Sequence, residues 1–184
     1  MMKRSVCLFC SAKEGLPNAA QKLAADFGAA CAARGLRLVY GGSGRGLMGV
    51  AARAAAAGGG EVLGIMPRQL VRPEQAADEI GTLVIVETLA ERKQRMAEAA
   101  DLFVAIPGGI GTLNDLGLQA KPVILCATDG FWQPFTALIE RFQSYGVLRA
   151  SIAQYLRHAA SVVETMRMID ALLPETRSAL SRGV

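Results

Sequence analysis

Aromatic side chains are scarce, 5% of the chain, with one Trp, three Tyr and six Phe, and there is a single histidine, His158. The charge is nearly balanced as well: 20 Lys and Arg against 16 Asp and Glu give a net charge of +4. The cations are spread along the chain rather than gathered into a tail or interleaved with aromatics, which argues against nucleic acid as a partner. A mildly basic surface still suits a small anion such as a phosphate. Only five residues are lysine, too few to leave an obvious Schiff-base candidate beside a phosphate cup, so a pyridoxal-phosphate decarboxylase is a poor fit. His158, next to Arg157, has no identifiable partner and reads as a surface helix residue, not a catalyst.

Long apolar runs are missing too: none approaches the ~18–20 residues that cross a bilayer. After Met1-Met2-Lys3-Arg4 the apolar stretch is about six residues, short of the ~7–15-residue core of a signal peptide. A cytoplasmic protein away from membranes is expected. Four cysteines fit that setting. Cys7 and Cys10 form a C-x-x-C, but a strand there points the two side chains to opposite faces, so they read as buried small hydrophobes, not as a redox or zinc pair.

What is present is apolar mass in a regular order. The 184 residues are 52% hydrophobic, enough for one domain with a sizeable core. Runs rich in Val, Ile and Leu recur at Ser5–Cys10, Leu36–Tyr40, Glu61–Met66, Thr82–Glu87, Asp101–Ile106 and Val123–Ala127, with a weaker one at Ser161–Val163. Their hydrophobicity is nearly continuous, as in strands buried on both faces. Ala-rich helical stretches lie between them, over Pro17–Arg34, Leu47–Ala57, Glu91–Ala99, Phe131–Ser144 and Glu164–Leu172, with Gly35 and Gly58 at C-caps. The βαβα order predicts a Rossmann-like, doubly wound α/β domain, a parallel sheet of six or seven strands with helices on both faces, over residues 1–173, followed by a polar tail at 174–184. Such sheets bind ligands at the carboxyl ends of their strands, so the loops after strands carry the function.

Two of those loops are glycine-rich and both open helices. The first runs from Tyr40 through Gly42, Ser43 and Gly44 to Gly49. It matches neither the dinucleotide fingerprint nor a P-loop, and reads either as an anion cradle at a helix start or as a tight βα turn with close packing. The second is Pro107-Gly108-Gly109-Ile110-Gly111-Thr112-Leu113-Asn114-Asp115. Thr112 and Asp115 fit a Thr-x-x-Asp capping box, which leaves Gly108, Gly109 and Gly111 as the phosphate cradle. Between the loops, Arg92 and Lys93 read as a solvated helix face on composition alone.

Taken together, Tyr40-Gly-Gly-x-x-x-Gly-Leu-Met-Gly49, Glu91-Arg92-Lys93-x-x-Met96 and Pro107-Gly-Gly-x-Gly-Thr112 resemble, in the right order, the Lonely Guy family of cytokinin-activating phosphoribohydrolases, long mislabelled as lysine decarboxylases. The resemblance runs from Ser5 to about Leu173. It implies a homodimer that splits the N-glycosidic bond of a nucleoside 5′-monophosphate, AMP or an N6-substituted relative, with no cofactor and no metal. In that reading Gly108, Gly109, Gly111 and Thr112 grip the 5′-phosphate, Asp115 faces the ribose in place of the family's catalytic glutamate, and Arg92 orders the substrate. Gly42, Ser43, Gly44 and Lys93 complete the binding set. A carrier that holds a nucleotide or pterin phosphate without cleaving it is the rival: it keeps the glycines but has no need of the carboxylate. A purely structural dimer leaves both anion-ready loops unexplained.

Three departures from the family stand out. Asp115 is one methylene shorter than glutamate, about 1.5 Å, and small misplacements of a catalytic group cost up to ~10²-fold, so low activity is expected. Leu89-Ala90 replace the family's usual Met-His. Last, only about 14 residues lie between Ile106 and Lys121, at the lower limit for a parallel crossover, where the family carries a longer Trp-containing helix. Either roughly eight to ten residues are deleted, or the sequence closes over a mobile segment and the chain breaks between about Leu116 and Gly117; the second account is preferred on sequence. Met48, Met66, Met96, Met166 and Met168 read as core filler, Trp132 as packed under the Gly130 turn, and 67–79 as either a lid or a plain surface connection.

Overall fold

The computed structural model describes residues 4–71, 79–116, 121–148 and 155–174. Seven strands, β1 (Ser5–Phe9), β2 (Arg37–Tyr40), β3 (Val62–Pro67), β4 (Thr82–Val86), β5 (Leu102–Ala105), β6 (Val123–Cys126) and β7 (Leu156–Ala159), form one sheet in the order β4-β3-β2-β1-β5-β6-β7. Every pairing is parallel, β1 meeting β2 at Val6↔Leu38 and β5 at Val6↔Leu102. Among the described residues six α-helices cover the sheet: α1 (Asn18–Ala33), α2 (Gly46–Ala57), α3 (Leu89–Ala99), α4 (Ile110–Leu116), α5 (Gln133–Ser144) and α6 (Val162–Leu172). The expected α/β architecture is the one observed. None of these helices is long and apolar enough to cross a membrane.

Burial follows strand position. β1, β5 and β6 are buried throughout, whereas the edge strands β4 and β7 are half exposed. One core packs α1, α2 and α6 against the sheet through Leu23, Phe27, Leu47 and Ile169; the other packs α3, α4 and the start of α5 through Met96, Leu116 and Trp132. Cys10 belongs to the first and Cys7 to the second, and all four cysteines are buried and free. Met48, Met66, Met96 and Met166 are core residues and Met168 packs at its margin. Alanines and a glycine let α1 and α2 approach closely: a Cβ on Gly28 would lie 2.1 Å from the Ala51 carbonyl oxygen.

Three expectations are corrected. The seventh strand is Leu156–Ala159 and carries His158, whose Nε2 lies 3.2 Å from Thr136 Oγ1; 161–163 instead starts α6, because Ser161 Oγ accepts from the Glu164 amide and the Glu164 carboxylate accepts from the Ala160 amide. As expected, Gly58 is the C-cap of α2, followed by Gly59 at φ +73°, and Gly35 takes φ +62° just past the Arg34 cap of α1. The Thr112 capping box does not form, since α4 begins two residues earlier at Ile110 and the Asp115 carboxylate turns to Arg92. The span that the β5-to-β6 connection has to recross is shorter than expected, with Phe103 paired in parallel with Val123. Its strands are only four residues long, so α4 has about 13 Å to recross rather than the ~20 Å of an average strand. The Leu116–Gly117 junction lies outside the described residues, as do 72–78 of the 67–79 segment and the tail beyond Pro174; Arg68–Leu70 forms one 3₁₀ turn.

Candidate functional site

Strand order reverses at β1, so the crevice at its carboxyl end is the switch point where doubly wound sheets take ligands. Both glycine loops lie there, after β2 and β5, and Ser11 stands between them. Its amide donates to the Pro107 carbonyl at 3.3 Å and its carbonyl accepts from the Leu47 amide at 2.9 Å. One residue of the β1–α1 loop thus fastens the second glycine loop to the start of α2.

The first loop is shaped mainly by packing. Gly42 has φ +80°, and a Cβ there would meet Leu83 Cδ1 at 2.9 Å and Met66 Cβ at 3.0 Å. Ser43 Oγ accepts from the Arg45 amide, and the Gly44 carbonyl accepts from Arg53 Nη1. That carbonyl lies so close to Gly49 that a Cβ there would be 1.9 Å away. Among the described residues, none of Gly42, Ser43 and Gly44 hydrogen bonds to Arg92 or Asp115. A cavity of about 180 Å³ borders Gly44 and Arg45 on the side of Lys13, Glu14 and Arg53, with Glu14 held by Arg45 at 2.7 Å. The residue of this loop that reaches the charged pair is Gly41, where a Cβ would stand 3.2 Å from Arg92 Nη2.

The second loop is more open. Gly108 packs on Thr112, which a Cβ would strike at 2.1 Å, but a Cβ on Gly109 or Gly111 would meet nothing within 4 Å. Gly109 and Gly111 are exposed, Ile110 is 81% exposed, and Thr112 is buried. Neither packing nor a positive φ demands glycine at 109 or 111.

Arg92 and Asp115 meet across this crevice. Thr88 caps α3 by accepting from the Glu91 amide at 3.1 Å, which sets Arg92 in the first turn. Its Nη2 donates to Asp115 Oδ2 at 2.6 Å, with the side chains 8% and 12% exposed, and its Nε lies 3.5 Å from Met96 Sδ. Among the described residues, Arg92 Nη1 and Asp115 Oδ1 have no protein partner. Lys93 Nζ donates to the Asn114 carbonyl at 3.1 Å. Burial pushes the Asp115 carboxyl above its ordinary range, against the opposing pull of Arg92 and then Lys93. Beneath it, burial and then the Asp115 charge raise the Cys7 thiol. Nothing in the local sequence flags the roles of Ser11 and Gly41 or the 23-residue reach from Arg92 to Asp115, because each depends on the strand order.

Residues 48–169 match the model of a family described as possible lysine decarboxylase. The cytokinin riboside 5′-monophosphate phosphoribohydrolase LOG of Oryza sativa subsp. japonica is 34% identical over 181 residues, 94% of this chain and 75% of that one. A cytokinin riboside 5′-monophosphate phosphoribohydrolase of Arabidopsis thaliana is 31% identical over 180 residues, 93% of this chain and 84% of that one. Among solved structures, the molybdenum cofactor binding protein of Rippkaea orientalis superposes with a TM-score of 0.75 at 22% identity, covering 94% of this chain and 98% of its own. The molybdenum cofactor carrier protein of Chlamydomonas reinhardtii gives 0.74 at 23%, covering 94% and 99%; at that identity both likenesses concern the fold alone. The length and identity of the match to the phosphoribohydrolases, together with the family model, show that the chain belongs to the Lonely Guy family.

Proposed function

We propose that this chain hydrolyses the N-glycosidic bond of an adenosine or N6-substituted adenosine 5′-monophosphate, releasing the free base and ribose 5-phosphate. The observation that carries the reading is the nearly buried Arg92–Asp115 pair, set at the switch point beside two glycines with open space at their Cα atoms. Cleavage passes through an oxocarbenium-like state, which a carboxylate at the ribose stabilises. In the proposed step water adds its oxygen to C1′, the bonding pair leaves with the base, and the proton released from water ends on that base. Asp115 Oδ1 faces the ribose and orients the water, Arg92 Nη1 orders the substrate, and the amides around Gly108, Gly109, Gly111 and Thr112 hold the phosphate. The active form is read as a homodimer.

Incubation with AMP and with isopentenyladenosine monophosphate, followed by chromatography for free base, tests the proposal. Release that is lost in Asp115→Asn and in Arg92→Ala supports it. Asp115→Glu, which restores the family's side-chain length, is expected to raise the rate. Tight binding of unaltered nucleotide by wild type and both disabled variants refutes hydrolysis in favour of a carrier.

A further inference from the structure

We propose that Lys93 is a positioning residue, which holds the last turn of α4 so that Asp115 stays aimed into the site, and not a ligand for the substrate's phosphate. The inference rests on the phosphoribohydrolase reading above. α4 is seven residues long, about 10 Å, and only Thr112 and Leu116 are buried along it. A helix this short does not hold itself, and its last four carbonyls have no donor within the helix. Asn114 carries one of those carbonyls, one residue before the carboxylate that matters, and Lys93 Nζ donates to it at 3.1 Å. A cation at that end also opposes the negative pole of the helix.

The contact is one of a set. Arg92 and Lys93, successive residues of α3, grip Asp115 and Asn114, successive residues of α4. Past the far end of the crossover, Lys121 Nζ returns to α3 and donates to the Ala97 and Ala100 carbonyls at 2.6 and 2.7 Å. α3 therefore splints α4 and the start of the strand that follows it, holding both by their backbone or side-chain polar atoms. Lys93 serves the splint, with its ammonium already directed to a backbone oxygen.

Lys93→Met tests this against Lys93→Arg, whose guanidinium still donates to a carbonyl. Loosening Asp115 by about 1 Å is expected to lower kcat on AMP by ~10²-fold, with KM changed less than threefold. Among the described residues the charged or titratable groups around Asp115 are Arg92 and Lys93 from α3 and Cys7 from β1, so removing Lys93 also moves the acid limb of the kcat profile to higher pH. Lys93→Arg restores most of kcat. Backbone amide exchange at Leu113–Leu116, read by NMR without any substrate, quickens at least tenfold in Lys93→Met and stays near wild type in Lys93→Arg. A KM for AMP that rises tenfold with kcat preserved, or unchanged exchange in α4, overturns the assignment. If no variant and not even wild type turns over AMP, the hydrolase reading fails, while the exchange measurement still decides what Lys93 does.

Discussion

Replacing Arg92 by methionine keeps most of the aliphatic stem against Met96 but strands the Asp115 carboxylate. The pair is 8% and 12% exposed, close to the buried limit at which removing one partner costs about 3–5 kcal/mol, because a charge is left unpaired out of water. Lys93 remains nearby, which places the expected loss at the lower end, about 3 kcal/mol. For a chain of this size that is a fall of about 6–12 °C in Tm. The loss must also depend on pH. Burial already raises the folded Asp115 carboxyl above its ordinary range, and losing Arg92, the larger opposing influence, raises it further. A carboxyl with a higher pKa folded than unfolded binds more protons in the folded state, so its penalty is absent below the unfolded pKa and grows as pH climbs through the folded one. Urea melts of wild type, Arg92→Met, Asp115→Asn and the double variant at pH 7.5 and pH 5.0 should show the Arg92→Met deficit shrinking at the lower pH. The double variant should be more stable than Arg92→Met alone, since no stranded charge remains. Equal deficits at both pH values, or a double variant no better than the single, refute the pair as a buried, mutually dependent unit.

Two glycines of similar appearance should part company. Gly49→Ala drives a Cβ to within 1.9 Å of the Gly44 carbonyl and should cost at least about 2 kcal/mol in urea midpoint analysis, whereas Gly111→Ala, inside α4 with open space beside it, should stabilise by up to ~1 kcal/mol yet weaken AMP binding in a calorimetric titration; unchanged affinity there removes Gly111 from the phosphate contact. The four cysteines are buried, with Cys31 pushed up to about 12 and Cys7 raised well above the ordinary thiol range. A disulfide thiol reagent at pH 8 should therefore find no reactive group in the folded protein and four after unfolding; rapid labelling of the folded chain contradicts the inert reading of the C-x-x-C.

Continuous apolar runs located six strands to within a residue or so: the inner five have no polar face to disguise them, and the edge strand β4, though half exposed, is still an unbroken Thr-Leu-Val-Ile-Val. The seventh was misplaced for the converse reason. Leu156–Ala159 is a half-exposed edge carrying Arg157 and His158, while Val162 and Val163 look like a strand but follow a cap. Ser161-x-x-Glu164 and Thr88-x-x-Glu91 are functioning caps, and Thr112-x-x-Asp115, which has the same spacing, is not. What separates them is Asp115's distant partner on α3, and a linear pattern does not record a neighbour 23 residues away. Arg92, Asp115 and the open glycines are singled out only by the order of motifs that resembles the family; on composition alone Arg92 reads as solvated and Asp115 as a cap, whereas the fold buries the first and turns the second to it. The internal use of Ser43 and Gly44, the closeness of Gly41 to Arg92 and the commitment of Lys93 to a carbonyl required knowing which strands lie side by side.

Ser11 gives the crevice a mechanical property. Its amide serves one turn and its carbonyl the other, so the two share a single fulcrum. Whatever settles on the Pro107 side and tugs that turn must also strain the bond to Leu47 on the opposite bank, and the start of α2 would feel an occupant it never touches.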